Sequence, residues 1–201
     1  MLAALEGTDK CLINTNGTLG GSGTRPFTER DGPSMPNPRS ATEKTVLAAA
    51  ADRGVRTVSI RLAPSVHGPD EHGFVPIMIE AARKVGFAGF VGDGSNIWPA
   101  VHVDDAARLF VLALEKAPAG SVLHGVAENV PFKDIASAIS HGLGVETRSI
   151  LPAQAHEALG VVGPLAGLNN LTTADLTKEL LDWEPRGKGL IEDMTTGTYF
   201  K

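Results

Sequence analysis

Apolar positions in this chain recur in two rhythms, alternation in short runs and a three-to-four spacing in longer ones, and the switches between them predict strands alternating with helices. Lys10 to Asn14 reads as a buried strand and Ala41 to Arg53 as a helix, with Ser40 and Glu43 spaced as a capping box and Gly54 as the stop signal. Val58, Ile60 and Leu62 alternate in the next strand. Phe74 to Lys84 is predicted helical, Phe87 to Val91 a short strand, Gly92 to Ala100 a loop, and Val122 to Val126 another strand. Phe132, Ile135, Ala136, Ile139 and Leu143 mark a further helix. Leu176, Leu180 and Trp183 mark a last one, which Thr172 and Asp175 are placed to cap. Met1 to Gly7 reads as the last turns of a helix closed by a glycine, so the pattern opens part-way through a strand-helix series.

The run Val101-His102-Val103-Asp104-Asp105-Ala106-Ala107-Arg108-Leu109-Phe110 carries a strand straight into a helix. A carboxylate at Asp104 or Asp105 is placed to cap that helix, since it accepts free N–H groups at the positive dipole end. Ala107, Phe110, Val111 and Leu114 then predict its buried face. Strand, helix, strand is the unit of a parallel sheet covered on both faces. The predicted fold is therefore α/β, built on an incomplete parallel sheet, with all 201 residues in one domain. The Pro- and Gly-rich stretch from Gly20 to Pro38 is a loop long enough to serve as a site lid.

Composition narrows the function classes. Asp and Glu total 23 against 18 Lys and Arg, with no basic stripe, so a nucleic-acid footprint is missing and a small-molecule substrate is the expected partner. The one cysteine, Cys11, excludes an intrachain disulfide and a cysteine-based zinc site; beside Leu12 and Ile13 it reads as a core residue, and it fits a reducing compartment. No apolar stretch approaches the roughly 18 to 20 residues of a membrane span, and no basic-then-apolar leader opens the chain. The expectation is a soluble, cytoplasmic protein without a membrane partner.

Four segments stand in an informative order: Ile13-Asn14-Thr15-Asn16-Gly17-Thr18-Leu19-Gly20; Arg61-Leu62-Ala63-Pro64-Ser65-Val66-His67-Gly68-Pro69; Gly92-Asp93-Gly94 followed by Val101 to Ala106; and Leu181-Asp182-Trp183-Glu184-Pro185. Together they resemble the extended short-chain dehydrogenase/reductase family, in its NAD-dependent epimerase/dehydratase branch. The first is similar to the strand bearing that family's active-site Ser/Thr, and the second to the strand and turn that close over the nicotinamide. The third is like the substrate-lobe signature, and the last resembles the C-terminal Trp-x-Pro element. The resemblance implies a partial Rossmann-like parallel sheet with a small mixed α/β substrate lobe, and hydride transfer between NAD or NADP and a carbon bearing a hydroxyl or carbonyl oxygen. It makes Thr15 or Thr18 the group that hydrogen-bonds the substrate oxygen, and gives Arg39 a contact to ribose or phosphate. Pro64, Ser65 and Val66 form the expected cofactor edge, because the carboxyl ends of parallel strands line the ligand crevice of open α/β sheets. His67, Asn96, Trp98 and His102 are candidate substrate contacts, with Trp98 as a pocket wall.

The family pattern is also broken. No strand-glycine turn-helix for the dinucleotide pyrophosphate is present. Gly17, Gly20, Gly21 and Gly23 follow a strand, but Thr24-Arg25-Pro26 through Pro38 supply no helix of normal length, so they read as an active-site or surface loop. The positions of the family's Tyr and Lys fall on Met35 and Arg39, and a thioether cannot transfer a proton. A second register, Ser40 and Lys44, asks Ser40 to be both helix cap and proton carrier. Tyr199, the only tyrosine, reads as a packing residue. His67, Asp70, Glu71 and His72 have the chemistry of metal ligands, but Gly68-Pro69 and Gly73 make the segment a turn without a helix to fix their geometry, and no metal is assigned. Two functions follow: the C-terminal portion of an NAD(P)-dependent epimerase/dehydratase-like oxidoreductase, or a non-catalytic binding or regulatory module derived from that family. An open sheet edge also predicts aggregation or dimerisation of the isolated chain, as a homodimer in the second case.

Overall fold

The structure, a computed structural model, describes residues 1–20, 23, 25–33 and 38–201. After a 3₁₀ turn at Leu2–Ala4, β1 (Leu12–Gly17), α1 (Pro38–Arg53) and β2 (Thr57–Leu62) make the first strand-helix-strand unit. β3 (Ser65–His67), α2 (Phe74–Val85), β4 (Phe87–Val91) and β5 (Ile97–His102) lead into α3 (Val103–Lys116). β6 (Ser121–Gly125), β7 (Glu128–Pro131), α4 (Phe132–Leu143) and β8 (Glu146–Ile150) follow. The short helices α5 (Ala155–Leu159), α6 (Gly163–Ala166), α7 (Asp175–Leu181) and α8 (Leu190–Thr196) complete the order.

The fold is α/β. β1, β2 and β6 form a parallel sheet in the order β1-β2-β6, and β2 in its middle is buried from Thr57 to Arg61, as a strand covered on both faces must be. The lobe is mixed: β5 pairs in parallel with β3 and antiparallel with β7, and β4 pairs in parallel with β8. Val58, Ile60, Leu109, Ala113, Leu123 and Trp183 pack in one core against the parallel sheet. Met78, Ile79, Trp98, Phe132, Ile135 and Leu190 belong to a second core under the lobe.

Several local expectations are corrected. The cap of α3 is His102, whose Nδ1 accepts the Asp104 N–H at 3.2 Å, while Asp104 stays in solvent. Asp105 instead turns inward and heads the buried face with Ala106, Leu109 and Ala113; Val111 and Leu114 are 54% and 50% exposed. Gly92 to Ala100 is a loop only in its first half, since β5 starts at Ile97. Pro99 is tolerated there because β3 reaches only Ala100 to His102, leaving β5 a single neighbour at Pro99. α1 opens at Pro38, so Ser40 lies inside the first turn and Glu43 faces the interior rather than closing a capping box. α7 is capped from afar: its Thr177 N–H donates to Glu29 at 2.9 Å, while the Thr172 hydroxyl donates to the Asn170 carbonyl. Trp183 lies beyond its end, after Asp182 in the left-handed region. The opening residues form one 3₁₀ turn rather than the end of an α-helix.

Candidate functional site at the ends of the parallel strands

β1 and β2 finish side by side, with Gly17 opposite Leu62 and the Thr18 N–H donating to the Leu62 carbonyl at 3.0 Å. An arginine in a central strand must bring its own partner, because an unpaired buried charge is costly. Arg61, 1% exposed, donates from Nε to the fully buried Glu43 carboxylate at 3.0 Å, and Asn16 donates to the other oxygen of that carboxylate. This ties together β1, α1 and β2 near the strand ends. Arg61 also donates to the Asp31 carbonyl at 2.9 Å and sits 5.3 Å from the centre of the Phe27 ring, which stacks on His124. The His124 Nδ1–H donates to the Thr173 carbonyl at 2.8 Å; burial pushes the pKa of this imidazole down, so it is held neutral.

These contacts correct the reading of the Gly20–Pro38 loop. Its described middle is no lid: Phe27 is buried, exchanges backbone hydrogen bonds with Leu171 and Thr173, and is followed by Glu29, whose carboxylate takes both the N–H and the hydroxyl of Thr177. Gly21, Thr24 and Met35 lie outside the described residues.

The predicted site residues separate into three groups. Thr15, Thr18 and Pro64 to Val66 gather at the ends of the parallel strands. Thr15 is exposed, whereas Thr18 is fully buried with its hydroxyl accepting from Asn170 at 3.0 Å. Pro64 and Val66 are half-buried, Ser65 is fully buried with a hydroxyl that has no partner among the described residues, and Arg39 is exposed in the first turn of α1. His67 and His102 form a second group, ring against ring at 5.4 Å. The His67 Nδ1 bonds the buried Asp193 carboxylate at 3.0 Å. Asn96 and Trp98 go to the lobe: Asn96 donates to the Ala166 and Leu168 carbonyls, and Trp98 is fully buried between Phe74 and Phe132. Trp98 is thus a core side chain and not a pocket wall. The Nε1 of its indole has no partner among the described residues.

Sequence reasoning missed Glu43, His124, Glu29 and Asp193. A charged residue in the apolar run Val58 to Leu62 was the available signal, since it demands a buried counter-charge. Tyr199 is more than a packing residue: its hydroxyl accepts the Gly68 N–H and donates to Glu71 at 2.6 Å. The Cys11 thiol is half-buried and its pKa is pushed up by that burial. Asp105 accepts the N–H groups of Arg186 and Gly187, and its carbonyl accepts the Trp183 indole N–H, so it fastens α3 to the Trp183-Glu184-Pro185 segment. Gly187 is required there, because a Cβ would stand 2.4 Å from that of His102.

A model of the NAD dependent epimerase/dehydratase family matches residues 25–124. An uncharacterized protein of Schizosaccharomyces pombe is 40% identical over 199 residues, a match covering 98% of this chain and 67% of that one. The chain belongs to the NAD dependent epimerase/dehydratase family. Members of this family are proteins of NAD-dependent oxidoreductase-like kind. The human sterol-4-alpha-carboxylate 3-dehydrogenase, decarboxylating, is 32% identical over 111 residues, covering 52% of this chain and 30% of its own length. The fold is also similar to that of the dTDP-glucose 4,6-dehydratase DesIV of Streptomyces venezuelae, solved with NAD and TYD bound: TM-score 0.71, 18% identity, 92% of this chain and 57% of that one. The chain therefore spans about two thirds of the length of the yeast relative and less of the dehydratase. Among the described residues, no helix is long and apolar enough to cross a membrane.

Proposed function

We propose that this chain takes part in NAD(P)-linked hydride transfer at a carbon bearing a hydroxyl or carbonyl oxygen. The observation that carries this reading is the β1–β2 register, which sets Thr15 to Gly17 opposite Ile60 to Leu62, with Thr18 bonding Leu62, at the carboxyl ends of neighbouring parallel strands, where open α/β sheets take ligands. The bound dinucleotide would supply the hydride donor or acceptor. Pro64 and Val66 offer it a half-buried edge, and the exposed Arg39 fork suits its ribose or phosphate. Of the two threonines, Thr15 has the exposed position needed to meet a substrate oxygen, while the hydroxyl of Thr18 is already held by Asn170. Gly17, Gly20 and Gly23 lead into no helix before Pro38 among the described residues, so they give the pyrophosphate no helix N-terminus.

Titration of NADH and NADPH, followed by fluorescence or calorimetry, tests this reading. Saturable binding is expected, weakened about tenfold by Arg39→Ala, the effect of losing one charge-assisted contact. No saturation by either dinucleotide overturns it. A second reading, a non-catalytic binding module, is favoured by the one tyrosine being tied to Gly68 and Glu71. Binding without hydride exchange to any carbonyl substrate supports that alternative. The open edge of β1, paired only with β2 among the described residues, supports a homodimer. The lone Cys11 supports a cytoplasmic location.

A further inference from the structure

We infer that the C-terminal segment is a strap that sets the turn Gly68–Glu71, and that Tyr199 is a positioning residue for the ligand crevice because it pins that turn. The turn directly follows β3 and the Pro64–Val66 edge, so its consequence for ligand rests on the function proposed above.

Its backbone is in a conformation that must be held from outside. Gly68 has φ +145° and Asp70, a non-glycine, has φ +59°. Such conformations persist only where the surroundings over-determine them. Gly68 has no room for a side chain, since a Cβ would stand 2.6 Å from Val103 Cγ1. It can be held only through its backbone.

The strap provides the hold at three places. The Tyr199 hydroxyl accepts the Gly68 N–H at 3.1 Å and donates to Glu71 Oε2 at 2.6 Å, reaching both ends of the turn. Asp193, buried on α8, bonds His67 at the residue before the turn. Phe200 covers Gly142 on α4 so closely that a Cβ there would meet its ring at 2.3 Å, which fixes the strap to the lobe. Glu71 in turn accepts the Val75 N–H at the start of α2, so the hold on the turn is relayed to that helix. A cavity of about 200 Å³ lies between the turn, α2 and the strap, lined by Gly68, Glu71, Pro76, Ile79 and Tyr199. The turn is therefore not wedged in place by packing alone, and the tyrosine hydroxyl spans the gap.

Tyr199→Phe keeps the ring and removes only the hydroxyl. Hydrogen exchange, the melting midpoint and NADH titration are to be measured on the full chain and this variant. Exchange over residues 66–73 is expected to rise about fivefold, the effect of one lost hydrogen bond, with residues 132–143 unchanged. The NADH Kd is expected to rise at least threefold. Unchanged exchange over 66–73 overturns the strap. Raised exchange with an unchanged Kd overturns the positioning role. Raised exchange in a chain that binds no dinucleotide leaves the strap standing and defeats the hydride-transfer reading instead. If Tyr199→Phe does not fold, Glu71→Gln against Glu71→Ala reads the same contact: the glutamine still accepts from Tyr199 and is expected to keep the turn protected, the alanine to release it.

Discussion

Under the lobe, Met78, Ile79, Trp98, Phe132, Ile135 and Leu190 pack as an apolar core, with the Trp98 indole N–H lacking a partner among the described residues. Beside the parallel sheet, Asn16, Glu29, Glu43, Arg61, His124 and Thr177 are buried together and hydrogen-bond one another or nearby backbone. The two regions respond to change differently. An apolar core loses roughly what each substitution removes in area and leaves in cavity, so conservative swaps are absorbed. A network of buried charges is conditional: each member is tolerable only while its partner is present. The ends of β1 and β2 lie on the conditional side, where Arg61, Glu43 and Asn16 tie the two strands to α1.

The sharpest way to break this contrast is to remove one charge. Arg61→Leu leaves the Glu43 carboxylate buried without its counter-ion and is expected to cost about 3 to 5 kcal/mol, enough to unfold a marginal domain. The double replacement Arg61→Leu with Glu43→Leu is expected to recover most of that loss, since an apolar pair carries no desolvation penalty. In the lobe, the volume-conserving Met78→Leu is expected to cost less than about 1.5 kcal/mol. Urea unfolding of the four proteins decides the matter. Equal losses in Arg61→Leu and Met78→Leu would mean that the sheet side is not conditional on its charges.

Protons distinguish the two regions by sign. Burial lowers the pKa of His124 below its ordinary 6.5, so below that pH the unfolded chain takes up a proton that the folded sheet side refuses, and stability falls on acidification. Burial raises the pKa of Glu71 above its ordinary 4.5, so the folded strap region keeps a proton that the unfolded chain releases, and stability falls as pH climbs from 4.5 through the folded value. Midpoints of urea unfolding between pH 4 and pH 8 are expected to flatten on the acid side in His124→Gln. Glu71→Gln is expected to remove the opposing slope. A wild-type acid slope that survives His124→Gln unchanged would place the responsible group elsewhere.

What was legible in the sequence follows the same division. Phe87–Val91 and Phe132–Leu143 were read correctly, because local periodicity and the glycines that follow helices, Gly86 and Gly144, both at positive φ, define elements without reference to distant residues. The polar network was not readable. Glu29 meets Thr177 across 148 positions and His67 meets Asp193 across 126, and no local pattern announces such pairs. Trp98 failed for another reason: a tryptophan before a lobe strand looks the same whether it faces a ligand or Phe74 and Phe132. Thr15 and Pro64 to Val66, proposed as ligand contacts through the resemblance, stand at the strand ends. The occupied hydroxyl of Thr18 needed coordinates to see.

The smallest expected effects fall on α3, where the periodic pattern offered two interleaved apolar stripes and the sheet chose one. Ala107, Phe110, Val111 and Leu114 form the more apolar stripe in sequence, but Asp105, Ala106, Leu109 and Ala113 are the residues turned inward, where Asp105 reaches Arg186 and Gly187, while Phe110 of the first stripe, half-buried, keeps contact with the sheet core. Val111→Lys and Leu114→Lys are accordingly expected to change stability by no more than about 0.5 kcal/mol, as surface substitutions do. Leu109→Lys, fully buried, is expected to cost several times that amount, because it puts an unpaired ammonium into the sheet core. A loss above about 1.5 kcal/mol at Val111 or Leu114 would show that this stripe is covered in solution, by a second copy of the chain or by another surface. Repeating the measurement across a hundredfold range of protein concentration separates these cases, since only a self-associating stripe gives a cost that grows with concentration.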